Sequence, residues 1–194
     1  CLNRADINKY SNLLKRSRMV ELADGQGIER EVSGLREAES GLFIAMGLPL
    51  DDRAANRALE LAQMDIDTIH FYGSPNGRGV DSARERYLKD LIREIHLKLV
   101  ENRIRGKVNL LFSGGIAMAE HMAKSIICGA DAVAFDIPML IALECQLCYR
   151  CKKGKSCPVK LEAIEAKWGS QRIINLISAW HNQLLEVMGA CGIR

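Results

Sequence analysis

Short apolar runs recur along this chain, and between them the apolar residues fall at helical spacing. The runs at 18–23, 42–48, 67–72, 108–112 and 132–137 read as strands. The second of them, LFIAMGL, is apolar almost throughout, as expected of a strand covered on both faces. Residues 1–17 are polar with scattered Leu and read as a helix or its remnant. Asp51-Asp52 caps a helix whose stripe is Ala54, Ala55, Ala58, Leu59 and Ala62. A long helix over about 81–103 carries Leu88, Leu91, Ile92, Ile95 and Leu99. Residues 117–128 form another, which Gly129 stops. Residues 161–189 are helical, with a break at Gly169-Ser170 and Ser170 as a cap. Asp24-Gly25-Gln26-Gly27 is a turn signal, and the segment from there to Ser40 is charged, with no element assigned.

This order is βα repeated about five times, which means a parallel sheet with helical crossovers. Five units fall short of the eight in a closed barrel of about 250 residues. A doubly wound sheet and the C-terminal part of a barrel both fit. The glycines at the strand exits favour the barrel. The expected fold class is therefore α/β, a parallel TIM-like (β/α) barrel portion. Residues 1–144 make the barrel portion, 145–158 a cysteine loop and 159–194 the C-terminal helices. The chain begins with Cys1, inside a helical pattern. A fragment, a processed chain or one lacking its N-terminal part is expected.

Composition narrows the function classes. The chain has 194 residues, 48% of them apolar, and a net charge of +3. That charge is too small to argue for nucleic acid. No run of 18 apolar residues suggests a membrane span, and no signal-peptide pattern opens the chain. Unpaired cysteines with a cluster-like motif point to a reducing, cytoplasmic compartment.

The motif is Cys145-Gln146-Leu147-Cys148-Tyr149-Arg150-Cys151, then five residues to Cys157-Pro158. Such closely spaced thiolates wrap an iron–sulfur cluster. The usual ferredoxin run has three residues before its fourth Cys. A zinc site prefers two knuckles about a dozen residues apart, and a disulfide framework suits small secreted chains, so both are the lesser readings. Cys128 and Cys191 read as buried thiols. Arg150, Lys152, Lys153 and Lys155 make the loop basic. That is either a docking face for an acidic electron carrier of ferredoxin type or an ordinary solvated surface.

Ser113-Gly114-Gly115-Ile116 leaves one strand and enters a helix, where backbone N–H groups can hold a phosphate. Many barrels grip phosphate with the loops after strands 7 and 8. If 108–112 is strand 7, Phe135 and Asp136 stand at the exit of strand 8. A phosphate-bearing flavin near a cluster joins two-electron to one-electron chemistry. His70 is either a hydrogen-bonded structural residue or a barrel-interior group near a flavin ring. His96, His121 and Lys124 read as solvated helix positions. Trp168 and Trp180 read as packing residues. No Ser-His-Asp, Walker or metal-hydrolase spacing is present.

These residues resemble the C-terminal half of the FMN-binding β/α barrel of glutamate synthase. Phe112-Ser113-Gly114-Gly115-Ile116 resembles its Asp-Gly-Gly-Leu/Ile phosphate loop. Cys128-Gly129-Ala130-Asp131 resembles its Leu-Gly-Ala-Glu, and Leu140-Ile141-Ala142 its Leu-Ile-Ala. The closing helix from Leu184 to Arg194 is similar, and Val20-Glu21-Leu22 with Gly25-Gln26-Gly27 resembles a Gln-Gly loop. Three cluster cysteines of the family fall on Cys145, Cys151 and Cys157, and Cys148 is additional.

The resemblance implies FMN at Ser113, Gly114, Gly115, Ile116, Phe135 and Asp136. It also implies a [3Fe–4S] cluster, or a [4Fe–4S] cluster if Cys148 joins. It departs where the family's Lys that helps hold 2-oxoglutarate is Glu29, where Ser113 replaces Asp, and where Tyr72-Gly73-Ser74-Pro75-Asn76-Gly77 replaces a glycine-rich loop. An Asp136 carboxylate beside a phosphate would be repulsive unless a cation intervened.

The expected function is a glutamate synthase-like oxidoreductase acting on CH–NH2 donors, passing electrons between flavin and cluster. The alternatives are an electron-transfer subunit without a working flavin site, and a barrel with a structural zinc or cysteine loop. Expected partners are an electron carrier or redox subunit and a small-molecule substrate. Neither nucleic acid nor membrane is expected, and the chain is expected to be an oligomer or part of a longer one.

Overall fold

The protein, seen as a computed structural model, is described at residues 11–39 and 41–192. The reading of a helix from residue 1 lies partly outside them, and α1 covers Ser11–Leu14. Five strands follow: β1 (Met19–Ala23), β2 (Phe43–Pro49), β3 (Thr68–Tyr72), β4 (Asn109–Ser113) and β5 (Ala132–Ala134). The helices are α2 (Ile28–Ala38), α3 (Ala54–Leu61), α4 (Leu88–Glu101), α5 (Ala119–Cys128), α6 (Ile137–Ala142) and α7 (Ala166–Ala190).

The strands lie in the order β1-β2-β3-β4-β5, all parallel. A doubly wound sheet requires that order to reverse at a switch point. Here it never reverses. Right-handed crossovers in sequential order leave the crossover helices on one face, which is the winding of a β/α barrel.

Register fixes what each face carries. Val20, Leu22, Ile44, Met46, Ile69, Phe71, Leu110 and Phe112 share one face and are buried, and the Phe71 and Phe112 rings stack at 5.0 Å. Leu91, Ile92, Ile95 and Leu99 of α4, with Ala54, Ala55, Ala58 and Leu61 of α3, are buried as well. The alternate positions, Met19, Glu21, Phe43, His70, Tyr72, Asn109, Leu111 and Ser113, take the other face. It is open at its edges, with Met19 and Phe43 exposed.

Several boundaries differ from the pattern-based expectation. The charged stretch before Ser40 contains α2, whose Ile28, Val32 and Leu35 form a narrow buried stripe. The helix expected from residue 81 begins at Leu88. Before it, Asp81–Glu85 is a 3-10 turn, and Arg78 and Tyr87 pair antiparallel. The fifth strand stops at Ala134, because the Asp136 carboxylate caps α6 by accepting the Ile137 N–H at 2.7 Å. Helix α7 runs through Gly169-Ser170 unbroken. A Cβ at Gly169 would sit 3.1 Å from Ile164, so this glycine serves close packing rather than termination.

Two entrances are built alike. Asp67 precedes β3, and its Oδ2 accepts the Ile44 N–H and an Arg36 N–H, each at 2.7 Å. Asp131 precedes β5 and accepts the Leu110 N–H and an Arg105 N–H, each at 2.7 Å. Each carboxylate thus pins the neighbouring strand at its start. Asp67→Ala would leave both donors without their charged acceptor. It should cost about 2 kcal/mol in urea unfolding, against a few tenths for the exposed Asp65→Ala.

The chain divides into two compact units. One holds the described residues up to Gly115 together with Ser125–Ala134, and the other holds Ile116–Lys124 and the described residues from Phe135. In the second, Phe135 packs on Trp180 at 4.6 Å, and Arg172 Nε donates to the Ala142 carbonyl at 2.8 Å. Ile174, Ile177 and Leu185 of α7 are exposed. Among the described residues, no helix is long and apolar enough to cross a membrane.

Candidate functional site

Parallel strands deliver their C-terminal ends to one edge, and in sheets wound this way that edge carries function. Four polar side chains meet there, on the face away from the crossover helices. Tyr72 and Ser113 are register partners on β3 and β4. His70 lies two residues before Tyr72, on the same face. His70 Nε2 is 3.0 Å from Ser113 Oγ, and His70 Nδ1 is 2.8 Å from Glu21 Oε2 on β1. The Tyr72 hydroxyl donates to Glu21 Oε1, and its ring meets the His70 ring edge-on at 4.4 Å. His70 is 8% exposed.

Hydrogen-bond capacity fixes the roles. The Glu21 carboxylate only accepts, so Tyr72 O–H and His70 Nδ1–H both donate to it. With its proton on Nδ1, His70 turns Nε2 toward the Ser113 hydroxyl, which can also donate to the Phe71 carbonyl. Ser113 Oγ also lies 3.4 Å from the Phe71 carbonyl.

Immediately beyond Ser113, two loops touch backbone to backbone. The Gly73 N–H donates to the Ser113 carbonyl at 2.8 Å. Gly114 and Gly115 have φ of 100° and 70°. A Cβ on Gly114 would lie 2.4 Å from the Gly73 oxygen, and one on Gly115 would lie 2.2 Å from Gly77 Cα. Close approach of the two loops therefore accounts for both glycines. Among the described residues, the N–H groups of Gly114 and Gly115 enter no turn or loop hydrogen bond, so they suit a phosphate.

Beyond β1 lies a cleft of about 500 Å³ formed by Asp24, Gly25, Gln26, Gly27, Ile28, Glu29, Arg57 and Met64. Arg57 grips Asp24 through two hydrogen bonds, Nε at 2.9 Å and Nη2 at 2.7 Å. Those bonds, with a further one to Glu60, raise the guanidinium above its ordinary value, so Arg57 stays cationic throughout. Its charge is already matched by Asp24, and Glu29 adds a further carboxylate to the rim.

The other sequence-derived residues lie in the second unit. Ile116 is buried, Phe135 packs on Trp180, and Asp136 caps α6. Cys145 and Cys157 are half-buried, Cys148 and Cys151 are exposed, and all four are free thiols. Among the described residues, no three His, Cys, Asp or Glu side chains stand grouped to hold a metal. The donor set suits a cluster in chemistry and spacing. The loop also holds Glu144, Leu147 and Tyr149 at φ of 66°, 50° and 53°. Such residues persist where the surroundings over-determine them.

Some expectations are corrected here. Cys191 is exposed rather than buried. His96 is not a solvated position, since its Nδ1 accepts from Arg105 Nε at 3.1 Å. His121 is half-buried and accepts the Ala117 N–H at 3.2 Å. Trp180 is buried, whereas Trp168 is 38% exposed with Arg172 over its ring. Sequence reading missed Glu21 and Tyr72 as members of a polar group. The available signal was a carboxylate between buried Val20 and Leu22, on the face shared with His70.

Comparison with known proteins follows the same lines. A family model described as the conserved region in glutamate synthase matches residues 7–194. The archaeal glutamate synthase [NADPH] of Methanocaldococcus jannaschii is 29% identical over 151 residues, covering 70% of this chain and 29% of that protein. The ferredoxin-dependent glutamate synthase of Pyropia yezoensis is 26% identical over 150 residues, covering 71% of this chain and 10% of that protein. The chain therefore spans under a third of the length of these relatives. Among solved structures, the recombinant flavin-binding domain of baker's yeast flavocytochrome b2 is similar in fold. It matches with a TM-score of 0.59 at 15% identity, over 88% of this chain and 35% of that one.

Proposed function

Because the chain belongs to the family of the conserved glutamate synthase region, we propose that it is the C-terminal barrel portion of a glutamate synthase-like oxidoreductase. It would bind FMN and an iron–sulfur cluster and act on a CH–NH2 donor. The observation that carries this reading is four free cysteines within thirteen residues, inside the matched region.

FMN would supply hydride exchange, and the cluster single-electron exchange. The Gly114 and Gly115 N–H groups would hold the flavin phosphate, with Ser113 and Ile116 flanking them. Phe135 and Asp136 are the further flavin contacts proposed, and Asp136 already spends one oxygen on the cap of α6. Cys145, Cys151 and Cys157 would hold the cluster, with Cys148 as a fourth ligand. The loop would take its ligand geometry as the cluster is built, since metal binding and folding are coupled.

Arg150, Lys152 and Lys153 are exposed. They would attract an acidic carrier of ferredoxin type and steer its approach. Glu29 stands where the family has a Lys, and the cleft's Arg57 is already held by Asp24, so a 2-oxo dicarboxylate would lose the family's cation there. The substrate proposed is therefore an amine or imine other than that of glutamate synthesis, in a cytoplasmic setting.

The test is the iron, sulfide, zinc and flavin content of the chain purified without oxygen. Iron and sulfide with about one FMN per chain is the expected result. Zinc alone would overturn the redox reading. Iron without flavin would reduce the chain to an electron-transfer unit.

A further inference from the structure

We infer that Ser113, His70 and Glu21 form a nucleophilic triad on the face of the sheet opposite the crossover helices, with Tyr72 as an added positioning residue. Nucleophilic serines are recognised by geometry and roles rather than by chain order. The geometry is present here. The base, His70, is within hydrogen-bond reach of the hydroxyl at 3.0 Å. Its other nitrogen is held by a carboxylate at 2.8 Å. That second bond sets the tautomer, because a proton on Nδ1 leaves Nε2 as the acceptor for Ser113 O–H. Tyr72 donates to the other Glu21 oxygen and packs against the imidazole edge. The carboxylate is thereby held at both ends and the ring is held in plane.

The position of Ser113 agrees. It is the last residue of β4, and Gly114 and Gly115 turn the chain away from it at positive φ. A serine at the exit of a parallel strand, before a tight turn, presents its side chain on the face it shares with His70 and Tyr72. A buried imidazole needs a partner on each nitrogen, and what matters here is which partners they are. Here both nitrogens are engaged, on opposite sides, by an acid and an alcohol.

The substrate class follows from charge. Among the described residues of the five strands, the face that carries the triad holds Glu21 and no Lys or Arg. An anionic substrate would meet the Glu21 carboxylate, and these strands carry no Lys or Arg to receive it. The face suits a neutral or cationic acyl ester or amide. In the reaction, Ser113 Oγ bonds to the acyl carbon while its proton passes to His70 Nε2. The bond to the leaving group breaks, and that group takes the proton from His70. Water then attacks the acyl-serine by the same path in reverse, releasing the acid. The reaction uses neither flavin nor cluster, although Ser113 also flanks the proposed flavin phosphate site, so labelling is read on flavin-free chain and fails separately from the flavin and iron content.

The test treats the full chain with diisopropyl fluorophosphate, a neutral probe, and maps adducts by peptide mass. The Ser113 Oγ–P bond forms, the P–F bond breaks, fluoride leaves and His70 takes the proton. One adduct per chain, on Ser113, is expected. Ser113→Ala should abolish it. His70→Gln should slow labelling roughly 100-fold or more, as should Glu21→Gln, which frees the wrong tautomer. No adduct on Ser113 in a chain with native circular dichroism would overturn the triad. So would labelling that proceeds at an unchanged rate in His70→Gln. With esters, 4-nitrophenyl acetate should acylate Ser113 about 10-fold faster than the anionic 4-nitrophenyl hemisuccinate. Equal rates would overturn the assigned charge class.

Discussion

Gly115→Ala is expected to destabilise the chain by about 3 kcal/mol or more, from two costs that add. The first is conformational. Gly115 sits at φ of 70°, where an L side chain crowds its own backbone. The second is steric. The new Cβ would fall 2.2 Å from both Gly77 Cα and Gly77 N, a separation that only backbone movement can relieve. Such movement would part the β3 and β4 loops and break the Gly73 N–H bond to the Ser113 carbonyl, which sits at the edge of the triad. Gly27→Ala isolates the first cost. Gly27 has φ of 79° but nothing within 4 Å of its would-be Cβ, so about 1 kcal/mol is expected there. Urea unfolding of both variants in the full chain separates the terms. Equal losses would mean that the loops do not meet as described.

Cys151→Ser is expected to remove the cluster altogether, taking iron and sulfide to background and leaving the loop open to proteolysis. A thiolate ligand is deprotonated and soft, and a serine hydroxyl is neither under ordinary conditions. Cys145→Ser and Cys157→Ser should behave alike. Cys148→Ser is the more informative variant, because Cys148 is the cysteine absent from the family pattern. If it ligates, its loss should convert a four-iron cluster to a three-iron one or empty the loop. If it does not, iron content should stay at the level of the unmutated chain. Iron and sulfide unchanged in Cys151→Ser would show that Cys151 is not a cluster ligand, and iron at background in the unmutated chain would remove the main support of the redox proposal.

The sheet was legible in the sequence because a strand covered by helices must be apolar where it is covered. Val20 and Leu22, Ile44 and Met46, and Ile69 and Phe71 announce themselves by that requirement. Helix ends were less legible, because they depend on competing local partners. Nothing in the apolar pattern said that Asp136 would cap α6 and end β5 three residues early. The pattern was equally silent on Gly169, which packs close to Ile164 inside one continuous helix. The three buried residues of α2 were hidden among charges, since a narrow stripe is enough for a helix that buries only one edge.

The cysteine loop and the Ser113-Gly114-Gly115 turn are local features, made of residues close in the chain, and the sequence by itself determined them. The same holds for the family, whose signature is a set of short segments. Tertiary structure alone decided the strand order, and with it that a barrel-type winding was present rather than a doubly wound sheet. It also decided the triad. Glu21 lies 49 residues from His70, and His70 lies 43 from Ser113. No spacing rule links them, because what brings them together is the register of parallel strands, and that register is set by packing on the opposite face.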